Sequence, residues 1–248
     1  MATISFSNQK GGVAKSTTAY NVSYLLAEDG YNVLMIDYDP QASLTTITGK
    51  DGSFTNSMYE VSRGDVAATD AIIKIDKNLD LIPADIKLAN LELEIVGERS
   101  RECFLKNALS SLEDKYDYII IDCLPSLNLL LTNALVASDS VIIPCECDYL
   151  AYNGLDLLLS TIARVKTSLN SNINILGVVA TFYDARTLHN RDVLDLLQEL
   201  DLDIITTVSS SVKVKDATVA HMPLHLYDKK NKIVSQYMKI KEKIIDGK

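Results

Sequence analysis

The chain lacks any apolar run of the ~18 residues that a membrane span needs. Its opening, Met1-Ala2-Thr3-Ile4-Ser5-Phe6, has no basic stretch of the kind that starts a secretory signal. Cysteine is scarce. Four of them, Cys103, Cys123, Cys145 and Cys147, in 248 residues do not make a disulfide framework. Cys145 and Cys147 are spaced C-x-C on a predicted strand end, so their side chains share one side. No second pair or nearby histidine completes a metal site, and reduced structural thiols are expected. His189, His221 and His225 have no ligand spacing. Positive charge is also in short supply, with 24 Lys and Arg against 33 Asp and Glu and a net charge of −9. That balance argues against a body coated in nucleic acid. It is uneven, however. Residues 229–248 hold seven lysines and two acids, so that segment carries +5 and the remainder −14. Such asymmetry marks a candidate anion-binding face. There is no repeat, no low-complexity tract and no Pro/Gly-rich linker. No helix-turn-helix precedes the first motif, which argues against operator-specific repression. The expectation is a cytoplasmic protein with a single domain over residues 1–248 and a substantial core.

What the chain does have is alternation. Short apolar runs at Thr3–Phe6, Asn32–Asp37, Leu79–Pro83, Tyr118–Asp122, Ser140–Pro144, Ile173–Phe182 and Asp203–Val208 read as strands, Asn32–Asp37 of the near-continuous apolar kind buried on both faces. Helical patterns lie between them: Lys15 to about Asp29, then roughly 86–96, 101–115, 127–137, 153–170, 187–200 and 231–246. Strands alternating with helices predict an α/β fold, a doubly wound, mostly parallel sheet with helices on both faces. Residues 50–78 are the least regular stretch and read as a surface segment.

The first strand runs into Ser7-Asn8-Gln9-Lys10-Gly11-Gly12-Val13-Ala14-Lys15-Ser16-Thr17. A strand that passes through a glycine turn into a helix is what a phosphate site needs. Backbone N–H groups at the helix start point at the anion, and the helix dipole adds to the attraction. Residues 10–17 are therefore the nucleotide-binding candidates. Lys15 can reach the β- and γ-phosphates, and the Ser16 hydroxyl can ligate Mg²⁺. The common G-x-x-x-x-G-K-[ST] pattern fails, because Gln9 and Ala14 stand at its glycine positions. What matches is K-G-G-x-x-K-[ST]. The second strand ends in Asp37-Tyr38-Asp39-Pro40-Gln41, with two acids on one side of an extended segment. The fourth ends in Asp122, an acid closing an apolar strand, placed to hold Mg²⁺ through water opposite Ser16.

These residues resemble those of the deviant Walker P-loop ATPases, and among them the ParA-type partition ATPases. The resemblance covers nearly the whole chain. It includes Tyr118–Leu127, Asn133-Ala134-Leu135, Asp139–Pro144, Phe182–Thr187, Asp216-Ala217, Met222-Pro223-Leu224 and Tyr227-Asp228. It implies Mg-ATP as cofactor and catalytic roles for Lys10, Lys15 and Asp39. Lys10 stands where the family has a lysine that reaches the partner's nucleotide in an ATP-sandwich homodimer. Asp39 would position and activate the attacking water. Ser16 and Asp122 would serve the metal, Asp37 would support the metal shell or the P-loop, and Pro223 would lie near the adenine. The family further implies slow intrinsic turnover, non-specific DNA binding by the ATP dimer, and stimulation by a ParB-like centromere-binding partner. The protein would then be nucleoid-associated and segregate a plasmid or chromosome. Lys213, Lys215 and Lys230 are the DNA candidates, with lysine at 213 where an arginine is common. Two departures stand out: Ala14 replaces the usual glycine before Lys15, and Leu124 stands for a second proline. Alanine suits a helix start, so nucleotide binding is expected to survive.

Three other functions compete. A MinD-like membrane-surface ATPase would use the tail Tyr237–Ile245 as an amphipathic anchor, but that tail lacks Phe and Trp, which makes membrane binding unlikely. A reductase of the nitrogenase iron-protein kind needs cluster cysteines in contexts this chain does not show. An inert module would have no use for intact Lys10, Lys15, Ser16, Asp39 and Asp122.

Overall fold

The computed structural model describes residues 1–112 and 115–247. In chain order its elements begin with β1 (Ala2–Phe6), α1 (Lys15–Glu28), β2 (Val33–Tyr38), α2 (Ser43–Ile47), α3 (Met58–Arg63), β3 (Ile73–Asp76) and β4 (Leu79–Ile82). There follow α4 (Leu88–Ile95), α5 (Phe104–Leu109), β5 (Tyr118–Cys123), α6 (Leu129–Ala137), β6 (Ser140–Glu146), α7 (Tyr149–Asn153) and α8 (Leu155–Ser168). The chain continues with β7 (Asn174–Thr181), α9 (Leu188–Glu199), β8 (Ile204–Val208), α10 (Val212–Val219), α11 (Leu224–Tyr227) and α12 (Lys232–Asp246).

The strands form one sheet in the order β3-β4-β2-β5-β1-β6-β7-β8. All neighbours run parallel except β3, which lies antiparallel on the β4 edge. The expected doubly wound sheet is therefore present, with one strand more than the apolar runs predicted. Every residue of β2 and of β5 is buried, as a strand covered on both faces requires. Alternation divides them between two cores. Leu34, Ile36 and Tyr38 join one, while Val33 and Met35 join the other. Helices α1 and α12 pack together over the second core, and α4, α5, α6 and α8 cover the first.

Chain order reverses around β1, which has β5 on one side and β6 on the other. Ligand crevices in open α/β sheets form at the carboxyl ends of strands beside such a reversal. Register places Asp37 of β2 directly opposite Asp122 of β5, and Phe6 of β1 on the other side of Asp122.

The structure changes several sequence-based expectations. Residues 50–78 contain α3, a 3-10 turn at Ala68–Ala71 and β3. Helix α3 carries a reciprocal cap between Ser57 and Glu60 and ends on Gly64 at φ 79°. That Ser-x-x-Glu signal was present in the sequence. The helix expected over 101–115 shrinks to α5 plus a 3-10 turn at Ser110–Leu112, and residues 113–114 of it lie outside the described residues. The helix expected over 153–170 is α8, Leu155–Ser168, separated from the preceding α7 by a turn at Gly154, itself helical at φ −74°. A Cβ on Gly154 would come within 2.4 Å of the Gln9 side-chain nitrogen.

Candidate nucleotide site

The loop after β1 is held before it meets any ligand. The Asn8 side chain donates to the Pro144 carbonyl at 2.7 Å and accepts from the Lys10 amide at 2.9 Å. Gln9 donates to the Gly154 carbonyl at 2.6 Å, and Thr181 donates to the Val13 carbonyl at 3.2 Å. Gly12 has φ 77° and Ala14 φ 64°, both left-handed. A Cβ built on Gly11 or Gly12 would meet nothing within 4 Å, so the loop faces open space there. Ala14 is thus no ordinary helix-start alanine. It is the N-cap of α1 in a conformation that costs a non-glycine residue roughly 1–2 kcal/mol.

A cavity of ≈ 610 Å³ opens over this loop. One end is walled by Gly11, Gly12, Lys15, Ser16, Thr17 and Asp39. Lys15 is buried at 6% exposure, and its ammonium lies 3.4 Å from the Lys10 carbonyl. Burial lowers its pKa against the opposing pull of the Asp122 and Asp39 carboxylates. Asp122 is 1% exposed, and neither of its carboxylate oxygens has a hydrogen-bond partner. Burial, then the neighbouring Asp37, pushes its pKa well above the carboxylate range, while Ser16 and Lys15 pull the other way. A buried carboxylate with both oxygens unpartnered calls for a cation. With the Ser16 hydroxyl beside it, the donor set is the oxygen pair that Mg²⁺ prefers. The residues therefore fit the metal that the resemblance implies.

The remaining candidates are distributed less simply. Asp39 lines the cavity, and its Oδ1 accepts the Gln41 amide at 2.9 Å. Asp37 does not stand open to a metal. Its Oδ2 accepts both the amide and the hydroxyl of Thr45, each at 2.7 Å, and its Oδ1 accepts the Asp39 amide at 3.3 Å. Complete burial lifts its pKa to about 7 in spite of these bonds. Lys10 lies off the cavity wall, paired within its own chain to Glu146 at 2.8 Å and Asp148 at 3.1 Å. Burial opposes its charge, and the two carboxylates together outweigh burial, so its pKa is raised. The Val13 side chain is buried beneath the loop, and Val13 does not line the cavity.

Pro223, expected near the adenine, is not among the residues that line the cavity. It is buried and caps α11. The segment it leads is bound to α1 instead, through the Leu224 amide and Asn21 Oδ1 at 2.7 Å. The end of the cavity away from the phosphate loop is built by Phe182, Val208, Ser209, Val214, Val219 and Tyr237, from the ends of β7 and β8 and the faces of α10 and α12. Apart from Phe182, which falls in the resembling segment Phe182–Thr187, no local signal marked these residues, since they meet only when the β7 and β8 ends and α10 come together. Glu146 and Asp148 as holders of Lys10 were likewise missed.

Of the DNA candidates, Lys213 and Lys215 lie on α10 and Lys230 in the turn before α12, all three exposed. Lys215 also borders the cavity. Lys213 lies 3.6 Å from Asp216, with its ammonium 5.9 Å from the centre of the Tyr227 ring. Lys241 and Lys243 of α12 are taken up by Asp29 and Asp203, each at 2.6 Å. The cysteines do not gather: no group of three or more His, Cys, Asp or Glu side chains able to hold a metal occurs among the described residues.

The family model described as an AAA domain matches residues 1–175. The chain is 40% identical over 246 residues to the sporulation initiation inhibitor protein Soj of Bacillus subtilis, covering 97% of each. The chain belongs to the ParA/Soj family of P-loop ATPases. A second ParA/Soj relative, the chromosome partitioning protein ParA of Caulobacter vibrioides, is 37% identical over 248 residues, 98% of this chain and 93% of that one. Among solved structures, a cobyrinic acid a,c-diamide synthase from Mycobacterium smegmatis, with bound ATP analog and magnesium, superposes with a TM-score of 0.88. It is 35% identical and covers 98% of this chain and 93% of that one. No helix among the described residues of this ParA/Soj chain is long and apolar enough to cross a membrane.

Proposed function

We propose that the chain acts as one domain, binds Mg-ATP in the cavity over residues 11–17, and hydrolyses it to drive DNA partition. The observation that carries this reading is Asp122, buried with neither carboxylate oxygen hydrogen-bonded, next to the Ser16 and Lys15 that line the cavity. The triphosphate would lie on the loop amides and Lys15, with the base toward Phe182, Val208 and Val214. Mg²⁺, held between Ser16 and Asp122, would neutralise charge on the phosphates. Asp39 would orient the attacking water and take its proton. Asp37 would support this arrangement by anchoring the Asp39 loop. Phosphoryl transfer asks mainly for positioning and charge, so a Lys10 delivered by a second copy would complete the site. The pairing of Lys10 with Glu146 and Asp148 accords with slow turnover in the single chain.

The ATP dimer would bind non-specific DNA through Lys213, Lys215 and Lys230, and a ParB-like partner would stimulate hydrolysis and release. The MinD-like alternative draws no support from α12, whose apolar residues Ile233, Val234, Tyr237, Ile240 and Ile244 are already buried against the body. The same nucleotide chemistry could activate a carboxylate in a synthase, and ATP turnover with no carboxylate substrate present separates the two readings.

The decisive experiment measures ATP-dependent dimer mass and DNA co-sedimentation over a salt series. Wild type should dimerise and sediment with ATP but not ADP, and Asp39→Ala should do so persistently, with phosphate release reduced at least about 100-fold. Lys213→Glu should weaken DNA binding and flatten its salt slope by about one, with nucleotide affinity unchanged. DNA binding indifferent to ATP would end the partition reading.

A further inference from the structure

We propose that Thr45 is a positioning residue for hydrolysis, its hydroxyl clamping the loop that presents Asp39. The inference rests on the proposed role of Asp39 and goes beyond it. Thr45 is fully buried. Its hydroxyl donates to Asp37 Oδ2 at 2.7 Å and accepts from the Ala84 amide at 3.1 Å. Its own amide donates to the same Asp37 oxygen at 2.7 Å. The other oxygen of Asp37 takes the Asp39 amide. One buried carboxylate therefore holds Asp39 at one end and Thr45 at the other end of residues 39–45, and Thr45 ties that grip to the chain just beyond β4.

The segment needs such a clamp. Within it, the Ala42 amide donates to the Asp39 carbonyl at 2.8 Å and the Gln41 amide to the Asp39 carboxylate. Ala42 has φ 52°, a conformation alanine adopts only under constraint. A short loop leading into a five-residue helix has little of its own to define its position. Three anchors supply what it lacks: the ends of β2 and β4, and His221, whose Nδ1 lies 3.3 Å from the Ile47 carbonyl at the far end of α2. Replacing the Thr45 hydroxyl by a methyl group leaves the Ala84 amide unpaired and removes one of the two bonds to Asp37 Oδ2, both in a buried place. Asp39 would then lose its fixed position relative to the cavity, while Lys15, Ser16 and the loop amides keep theirs.

The test is steady-state ATP hydrolysis by Thr45→Val and Thr45→Ser, with Mg-nucleotide affinity measured by calorimetry on the same preparations. The valine variant should lose about tenfold or more in kcat, because displacement of a reacting group by ~1 Å costs up to about 100-fold. Its Kd for Mg-nucleotide should stay within about twofold of wild type, and serine should restore kcat. Should the valine variant fail to fold, Thr45→Cys keeps the volume with a poor donor and carries the same expectation. Wild-type kcat in the valine variant overturns the proposal. So does nucleotide affinity falling in step with kcat, or failure of serine to rescue. If Asp39→Ala turns over like wild type, the reading of Asp39 itself fails and takes this inference with it. Turnover that needs Asp39 but not the Thr45 hydroxyl sinks this inference alone.

Discussion

The two ends of the cavity are made differently. The phosphate end comes from nearly contiguous chain, residues 11–17 without Val13, together with Asp39 just after β2, and Asp122 of β5 lies buried next to Ser16 and Lys15. The far end comes from scattered positions on β7, β8, α10 and α12. At the first, backbone amides and charges act on a fixed chemical group, so residue type and spacing are both constrained. At the second, apolar surface has only to be the right shape, and many residues can supply that. A motif can mark the first end, whereas the second exists only after packing.

That contrast can be broken experimentally. The largest expected effect is at the phosphate end: Lys15→Ala should reduce Mg-ATP affinity by at least about 100-fold in calorimetry, because a buried charge aimed at the phosphates is lost. Inorganic triphosphate should suffer the same loss. A variant that binds both normally would remove the loop from the site. Next, Val214→Asp on α10 should weaken ATP about tenfold, since it sets a carboxylate on an apolar wall, yet leave inorganic triphosphate within about twofold. Equal losses for both ligands would show that the two ends are not separable.

A smaller effect concerns pH. In the folded protein the pKa of Asp122 is raised well above its usual value of 3.8, by burial first and by Asp37 second. The native state therefore holds a proton that the unfolded chain has released. The associated stability is complete below the unfolded value and is lost as pH rises through the raised one. Melting of the nucleotide-free protein should thus fall as pH rises from the unfolded carboxylate value of 3.8 through about 7, where Asp37 titrates. Asp122→Asn should flatten the trend but not abolish it, because Asp37, raised to about 7, contributes in the same direction. An unchanged slope in Asp122→Asn would show that this carboxylate is not strained by burial. The smallest effect is at Ala14: glycine there should relieve the left-handed backbone and raise stability by up to about 1 kcal/mol, with nucleotide affinity nearly unchanged.

Much of the sheet was legible because parallel strands buried on both faces read as unbroken apolar runs, as Tyr118–Asp122 does. The edge strand β3 was not, since its residues alternate between half-buried and exposed and its partner β4 is contributed by the same hairpin. In the site, Gly11, Gly12, Lys15, Ser16, Asp39 and Asp122 could be named from spacing and resemblance. The resemblance gives Asp37 a role in the metal shell or the P-loop. Its hydrogen-bond partner Thr45 stands eight residues on and reaches it because α2 folds back over the strand end. The resemblance puts Pro223 near the base; in the fold it caps α11, and residues of α10 line the far end of the cavity.

By itself the sequence determined the layered α/β architecture and the phosphate end of the cavity. Periodicity and a glycine turn between strand and helix are local properties of the chain, and local chemistry suffices to read them. Tertiary structure alone decided which groups face Lys10, what holds Asp37 and which residues wall the far end. Those contacts join positions as far apart as Lys10 and Asp148 or Tyr20 and His221. Which of many chemically acceptable partners a side chain meets is set by how the sheet orders its strands, and no short stretch of sequence encodes that order.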